Sequence, residues 1–116
     1  MYKPGLHLIS EFKVRNTDIL KDSANLKNYL DLIILQNGLT KVGEVYHEFD
    51  GGGFTAVICL TESHISIHTW PEFNRVTFDV FLSNFMKYNN DIATSIHEGV
   101  LQLLDATDVE RTVLNR

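Results

Sequence analysis

Side chains that can act as nucleophiles, acids and bases are concentrated between Thr61 and Glu72. This stretch has the sequence TESHISIHTWPE and contains two carboxylates, two imidazoles and an indole besides its hydroxyl groups. A strand needs none of this chemistry in order to fold. A serine hydroxyl is a weak nucleophile until a base or strain activates it, but the hydroxyl of Ser63 can attack the preceding carbonyl, that of Glu62. This N-to-O acyl shift converts an amide into an ester and would begin a self-cleavage reaction.

The run from Glu62 to Glu72 closely resembles the self-processing segment of the bacterial and archaeal S-adenosylmethionine decarboxylases. The resemblance implies cleavage between residues 62 and 63, in which β-elimination expels the Glu62 carboxylate and converts Ser63 into a pyruvoyl cofactor. A pyruvoyl ketone forms a Schiff base with a substrate amine and accepts electrons when carbon dioxide leaves, as pyridoxal phosphate does in other decarboxylases. The implied function is decarboxylation of S-adenosylmethionine for polyamine (spermidine) biosynthesis.

The same resemblance implies roles for residues outside the cleaved bond. His68 matches the histidine that takes the α-proton during elimination, and an imidazole that titrates near pH 6.5 suits this role. Thr55 matches a hydroxyl residue that positions or polarises the carbonyl of Glu62. Phe49 is expected to contact an adenine or another apolar part of the substrate, and Glu72 to contact a ribose or an ammonium group.

Ser83 departs from the family pattern. The family has Asp-Val-Phe-Thr-Cys-Gly where residues 79–84 are DVFLSN. The family cysteine returns a proton to the substrate, and a serine hydroxyl is a far weaker acid than a thiol. Ser83 could hold a water, or His68 could transfer the proton instead. Three alternatives follow: a slow S-adenosylmethionine decarboxylase, a pyruvoyl-dependent arginine or ornithine decarboxylase, or a non-catalytic homologue that stays uncleaved.

Hydrophobic periodicity predicts an α+β fold with an antiparallel sheet and two helices on one face. The resemblance implies a two-layer α/β sandwich that forms a homodimer. Within the strand around Ile65, Ser63 and His68 would point to opposite faces, so we expect irregular backbone, with a bend or bulge, close to the Glu62–Ser63 bond. The predicted strands lie near residues 6–12, 41–49, 55–60, 64–68, 76–82 and 109–114, the fourth of them ending before Pro71. The predicted helices span residues 23–36 and the segment from Asn90 or Asp91 to 104.

Composition limits the class of protein further. The 116 residues suit one domain, 1–116, and a formal net charge of -5 argues against nucleic-acid binding. Without a signal peptide or a membrane-spanning run, we expect a cytoplasmic protein. His64 and His68 have the spacing of a helical zinc pair, but the strand pattern predicts no metal site there. Cys59, in an apolar run, is expected to be a buried thiol, and Trp70 to pack in the core.

Overall fold

The computed structural model describes all 116 residues, which form six strands, two α-helices and two short 3₁₀ helices. The 3₁₀ helices span Thr17–Leu20 and Pro71–Phe73. The α+β class predicted from periodicity is confirmed. In chain order, the elements are β1 (Leu6–Val14), α1 (Ala24–Gln36), β2 (Lys41–Glu48), β3 (Phe54–Leu60), β4 (Ser63–Trp70), β5 (Arg75–Leu82), α2 (Asn90–Leu103) and β6 (Ala106–Asn115).

All six strands belong to one antiparallel sheet, in the order β2-β3-β4-β5-β1-β6. Strand β4 lies inside the sheet and is paired on both sides. Ser63 lies opposite Leu60 of β3 and Leu82 of β5, while His68 lies opposite Thr55 and Thr77. The pairing has no register shift on either side of β4, so the positions of its side chains are fixed along its whole length.

The helices cover one face of this sheet and leave the other face open. Alternate residues of β4 lie on opposite faces. Ile65, Ile67 and Thr69 are buried on the covered face, whereas His64 and His68 are half-buried on the open face. Removing a leucine-sized side chain from water contributes about 1.5–3 kcal/mol, so the covered face supplies most of the stability. The helices contribute Leu26, Leu30, Ile34, Ala93, Ile96 and Val100 to the core, and Leu104 adds to it just after α2.

Three sequence-based expectations about single residues are wrong. Cys59 is exposed rather than buried, since it lies on the open face opposite His64. Trp70 is half-buried and outside the core, because it belongs to the same face as His68. The residue that precedes α2 is Asn89, not Asn90 or Asp91, and the Asn89 side chain donates to the carbonyl of Ser83 (2.8 Å) instead of capping the helix. Neither helix is long and apolar enough to cross a bilayer.

A fully buried imidazole, His97, connects α2 to the sheet. Its Nε2 lies 2.9 Å from Oγ of Ser10, and that hydroxyl in turn donates to the carbonyl of Phe78 at 3.4 Å. Nε2 of His97 is therefore the donor, and its Nδ1 is buried without a partner. Burial lowers the pKa of His97, with the Arg111 charge acting in the same direction and Glu98 opposing it.

We predict that His97 makes the fold less stable in mild acid. Its folded pKa lies below the ordinary value of 6.5, so protons bind the unfolded chain first. The stabilising contribution is fully present above about pH 6.5 and is lost as the pH falls from there towards the folded pKa. The unfolding midpoint should fall between pH 7.5 and 5.5, and this fall should be smaller in His97→Gln. The control is His47→Gln on the exposed part of β2, which should retain the wild-type slope; equal slopes in all three proteins would contradict this role.

Candidate active site

The Glu62–Ser63 bond lies in a tight turn between two paired strands. Thr61 and Glu62 form the two-residue connection from β3 to β4, and Leu60 and Ser63 close it as a cross-strand pair. Ser63 has φ 143°, a conformation that a residue with a side chain rarely adopts. Such backbone costs of order 1–3 kcal/mol. The irregular backbone predicted next to this bond is confirmed at Ser63 itself, but the predicted bend or bulge is wrong, because Ser63 keeps its partners Leu60 and Leu82 without a register shift.

The carbonyl oxygen of Glu62 accepts a hydrogen bond from the backbone N–H of Ser83. The N···O distance is 2.7 Å. When a nucleophile attacks a carbonyl, negative charge develops on its oxygen, and a donor already in place stabilises that charge. The sequence did not predict this donor, because it is a backbone group whose position depends on where β5 ends. It is present whichever side chain occupies position 83.

The backbone around Ser83 is itself held in place by its neighbours. Asn84 is buried, donates to the carbonyl of Pro4 at 2.9 Å, and accepts from the N–H of Asn89 at 2.7 Å. The Asn89 side chain then holds the carbonyl of Ser83. Gly5 packs directly against this segment, where a β-carbon would lie 2.9 Å from Cα of Ser83. Asn84, which replaces the family glycine, thus anchors the segment that carries the donor.

A second group of predicted residues lies at the far end of β4. The His68 ring packs against Trp70, with 4.1 Å between centroids, and against Phe49, with 5.6 Å. Thr55 is the cross-strand partner of His68, and its hydroxyl donates to the carbonyl of Ile67 at 3.3 Å. We call Phe49, Thr55, His68 and Trp70 the His68 cluster. Glu72 is exposed on the short 3₁₀ helix that follows β4.

The two groups do not meet within one chain. Ser63 and His68 are five positions apart along the strand, which corresponds to about 16 Å. The strained turn does not shorten this distance, because β4 remains paired on both sides from Ser63 to His68. Thr55 is equally distant and bonds to Ile67 instead of the Glu62 carbonyl. Each chain therefore holds two separate candidate half-sites: the candidate cleavage site of Glu62, Ser63 and Ser83, and the His68 cluster.

The open face of the sheet between the half-sites contains a shallow cavity and a cluster of titratable side chains. The cavity has a volume of about 610 Å³, and Ser66, His68, Thr77 and Asp79 are among its lining residues. The carboxylate of Asp79 also contacts the rings of His7 and His64. The sequence did not predict this cluster, because His7 lies more than fifty residues from the other two.

Comparison with known proteins identifies the family to which this sequence and fold belong. A family model described as S-adenosylmethionine decarboxylase matches residues 6–116. The chain belongs to the S-adenosylmethionine decarboxylase family. Among its relatives in this family, the S-adenosylmethionine decarboxylase proenzyme of Hydrogenobaculum sp. (strain Y04AAS1) is 33% identical over 112 residues, which cover 97% of this chain and 81% of the relative.

Two further members of the S-adenosylmethionine decarboxylase family extend the comparison. The proenzyme of Thermodesulfovibrio yellowstonii is 41% identical over 81 residues, which cover 70% of this chain and 60% of the relative. The crystal structure of the adenosylmethionine decarboxylase from Aquifex aeolicus VF5 has a TM-score of 0.85 at 27% identity and covers 100% of this chain and 92% of that chain. Both the sequence and the fold are therefore those of the family.

We predict that a methyl group at Gly5 disturbs the cleavage site. In Gly5→Ala the new β-carbon would collide with the carbonyl oxygen of Leu82 and approach Cα of Ser83. Overpacking of this kind costs about 1–3 kcal/mol, measurable by denaturant unfolding. Gly43→Ala on β2 is the matched control, because a methyl group at that position would meet no other atom within 4 Å. A Gly5→Ala protein as stable as Gly43→Ala would contradict this packing role.

Proposed function

We propose that this chain is a self-processing decarboxylase that converts Ser63 into a pyruvoyl cofactor and acts on S-adenosylmethionine. The observation that carries the proposal is the 2.7 Å hydrogen bond from the Ser83 N–H to the Glu62 carbonyl, beside the strained Ser63. The proenzyme names of the relatives support it, since a proenzyme requires a maturation step. The domain, 1–116, would fold first and then be cleaved between 62 and 63.

The cleavage site supplies the first steps of maturation. Oγ of Ser63 attacks the carbonyl carbon of Glu62, and the Ser83 N–H stabilises the charge that forms on the carbonyl oxygen. Collapse of this adduct breaks the peptide C–N bond and leaves an ester between Glu62 and the Ser63 side chain. Breaking the ester by β-elimination requires a base that removes the Ser63 α-proton, and the Glu62 carboxylate is the leaving group. The dehydroalanine that remains tautomerises to an imine, which water hydrolyses to the pyruvoyl ketone and ammonia. In the matured protein, the pyruvoyl group supplies a ketone for Schiff-base chemistry and an electron sink.

His68 can be that base only if it comes from a second chain, because about 16 Å of strand separates it from Ser63 in its own chain. We therefore propose a homodimer in which the His68 cluster of each chain faces the cleavage site of its partner. A two-fold axis relates the two chains, so each chain gives its His68 cluster to the cleavage site of the other. Both sites are therefore completed in one dimer. The open face supports such pairing, since it exposes the apolar side chains of Ile9, Val45, Val57 and Leu114.

The His68 cluster also favours a substrate with a flat ring. Phe49 is 40% exposed beside His68 and offers a stacking surface for an adenine. Glu72 is free to receive a ribose or an ammonium group. Arginine and ornithine have no purine, so a pyruvoyl-dependent decarboxylase of these amino acids is the second candidate. Carbon dioxide release from each of the three compounds would separate the candidates.

Ser83 supports a different alternative, a homologue that stays uncleaved. The Ser83 amide donates a hydrogen bond to the Glu62 carbonyl. The Ser83 hydroxyl, however, is a poor proton donor compared with the cysteine thiol of the family pattern. In the catalytic proposal, a water held by Ser83 or the His68 imidazole returns the proton to the substrate. A role in polyamine (spermidine) biosynthesis and a cytoplasmic location follow from the same proposal.

We predict that purified protein contains two fragments, residues 1–62 and residues 63–116, the second beginning with a pyruvoyl group. Intact mass distinguishes this group from an unmodified serine, and carbonyl reagents should add to the second fragment only. Ser63→Ala should remain a single chain, because it lacks the nucleophile. Ser66→Ala is the control, since it removes another hydroxyl from the same strand without touching the bond. A single uncut wild-type chain after long incubation would refute self-processing, and a cut Ser63→Ala chain would refute the nucleophile.

We predict that two inactive variants restore each other in a mixed dimer. Ser63→Ala lacks the nucleophile and His68→Ala lacks the base, so neither should yield a pyruvoyl fragment alone. In a mixed dimer, the intact Ser63 of the His68→Ala chain faces the intact His68 of its partner. Differently tagged chains, expressed together, should therefore release the pyruvoyl fragment from the His68→Ala chain only. Failure to do so in a mixture shown to contain mixed dimers would refute the shared site while leaving the self-cleavage proposal to its own test.

A further inference from the structure

We propose that His7, His64 and Asp79 form a binding site for a late first-row divalent cation, foremost Zn²⁺, on the open face of the sheet. Nε2 of His7 lies 2.8 Å from Oδ2 of Asp79, and Nε2 of His64 lies 3.1 Å from the same oxygen. The three potential ligand atoms all lie within 4.8 Å of one another. The proposal goes beyond the decarboxylase function, which uses none of these side chains.

The donor set matches the chemistry of such an ion. Two imidazole nitrogens and one carboxylate oxygen are common ligands of zinc, and three protein ligands leave a fourth position for water. Metal–ligand bonds of about 2.0–2.2 Å at tetrahedral angles place ligand atoms roughly 3.3 Å apart. The Nε2–Oδ2 separations are close to that value, so small side-chain rotations would admit an ion. The His64 side chain is 37% exposed and provides the entry path.

The sheet fixes the backbone of all three ligands. His64 of β4 and His7 of β1 lie on either side of Phe81, the residue of β5 with which both are paired. Asp79 is two residues before Phe81 on β5, so its side chain projects from the same face. A site built on three adjacent strands requires no loop to become ordered.

A neighbouring hydroxyl fixes the orientation of the Asp79 carboxylate. Oγ of Ser66 donates to Oδ1 of Asp79 and leaves Oδ2 directed at the two imidazoles. Partners that hold the outer oxygen of a ligating carboxylate fix its orientation and commonly determine 10- to 100-fold of the metal affinity. Ser66 thus supports the ligand Asp79 by a direct hydrogen bond, whereas His68 has no such partner.

Binding of the ion would change the contacts of His7. Nη1 of Arg116 lies 3.4 Å from Nδ1 of His7, and a guanidinium can only donate, so in this arrangement the His7 proton is on Nε2. Coordination of the neutral imidazole through Nε2 moves that proton to Nδ1, and Arg116 must then withdraw. Arg116 is exposed and can do so. A bound ion would cross-link β1, β4 and β5 one residue from Ser63, next to the proposed cleavage site.

Titration of metal-stripped protein with ZnCl₂ and with CoCl₂ tests the site by calorimetry, and Co²⁺ adds visible absorption bands that report nitrogen ligation. We expect one ion per chain. His64→Ala and Asp79→Asn should each bind the ion at least about 10-fold more weakly than wild type, and Ser66→Ala about 10- to 100-fold more weakly. The control is His47→Ala, which removes a histidine outside the cluster and should bind the ion as tightly as wild type. Circular dichroism shows whether each variant is folded. Asp79→Asn is nearly isosteric with wild type, so a loss of metal binding in this variant is not a result of misfolding. No stoichiometric binding to wild type, or equal binding to folded His64→Ala, would overturn the proposal.

Discussion

The pairing of β4 with β3 and β5 is the constraint on which the rest of the structure depends. Because β4 is paired with β3 from Ser63 to His68 and with β5 along its whole length, Ser63 is held at the end of the sheet beside the Ser83 amide. The same pairing fixes His68 beside Thr55, about 16 Å away. A strand that bent enough to join Ser63 to His68 would break a ladder of hydrogen bonds and expose the core beneath Ile65 and Ile67. This separation within one chain is the reason for proposing a site that two chains complete together.

Local patterns were sufficient to predict most of the elements but not the faces of all of them. Strand β4 alternates in residue type, and Gly38, which follows α1 with φ 68°, marks the end of that helix in sequence and structure alike. The run from Ala56 to Leu60 is apolar at every position, so its sequence could not indicate that Cys59 faces outward. The prediction that Trp70 packs in the core is wrong for a related reason. A large apolar ring predicts burial, but the alternation of β4 puts this ring on the same face as His68, against which it packs.

The residues of the candidate site stay a prediction, whereas their arrangement could not be predicted from the sequence. The resemblance of the run from Glu62 to Glu72 implies self-processing, but only the register shows that Ser63 and His68 lie far apart within one chain. The donor to the Glu62 carbonyl is a backbone group, and no residue type identifies it. His7 reaches His64 and Asp79 because β1 is inserted beside β5, a long-range pairing that spacing along the chain does not reveal.

The order of the strands also determines what would happen to the two pieces of a processed chain. Residues 1–62 contribute β1, β2 and β3, whereas residues 63–116 contribute β4, β5 and β6. Because β1 is inserted between β5 and β6, the pieces are interleaved and share three strand boundaries: β3 with β4, β5 with β1, and β1 with β6. Neither piece can leave without dismantling the sheet. The break would therefore leave the sheet intact, because these three boundaries would hold the two pieces together without a covalent bond.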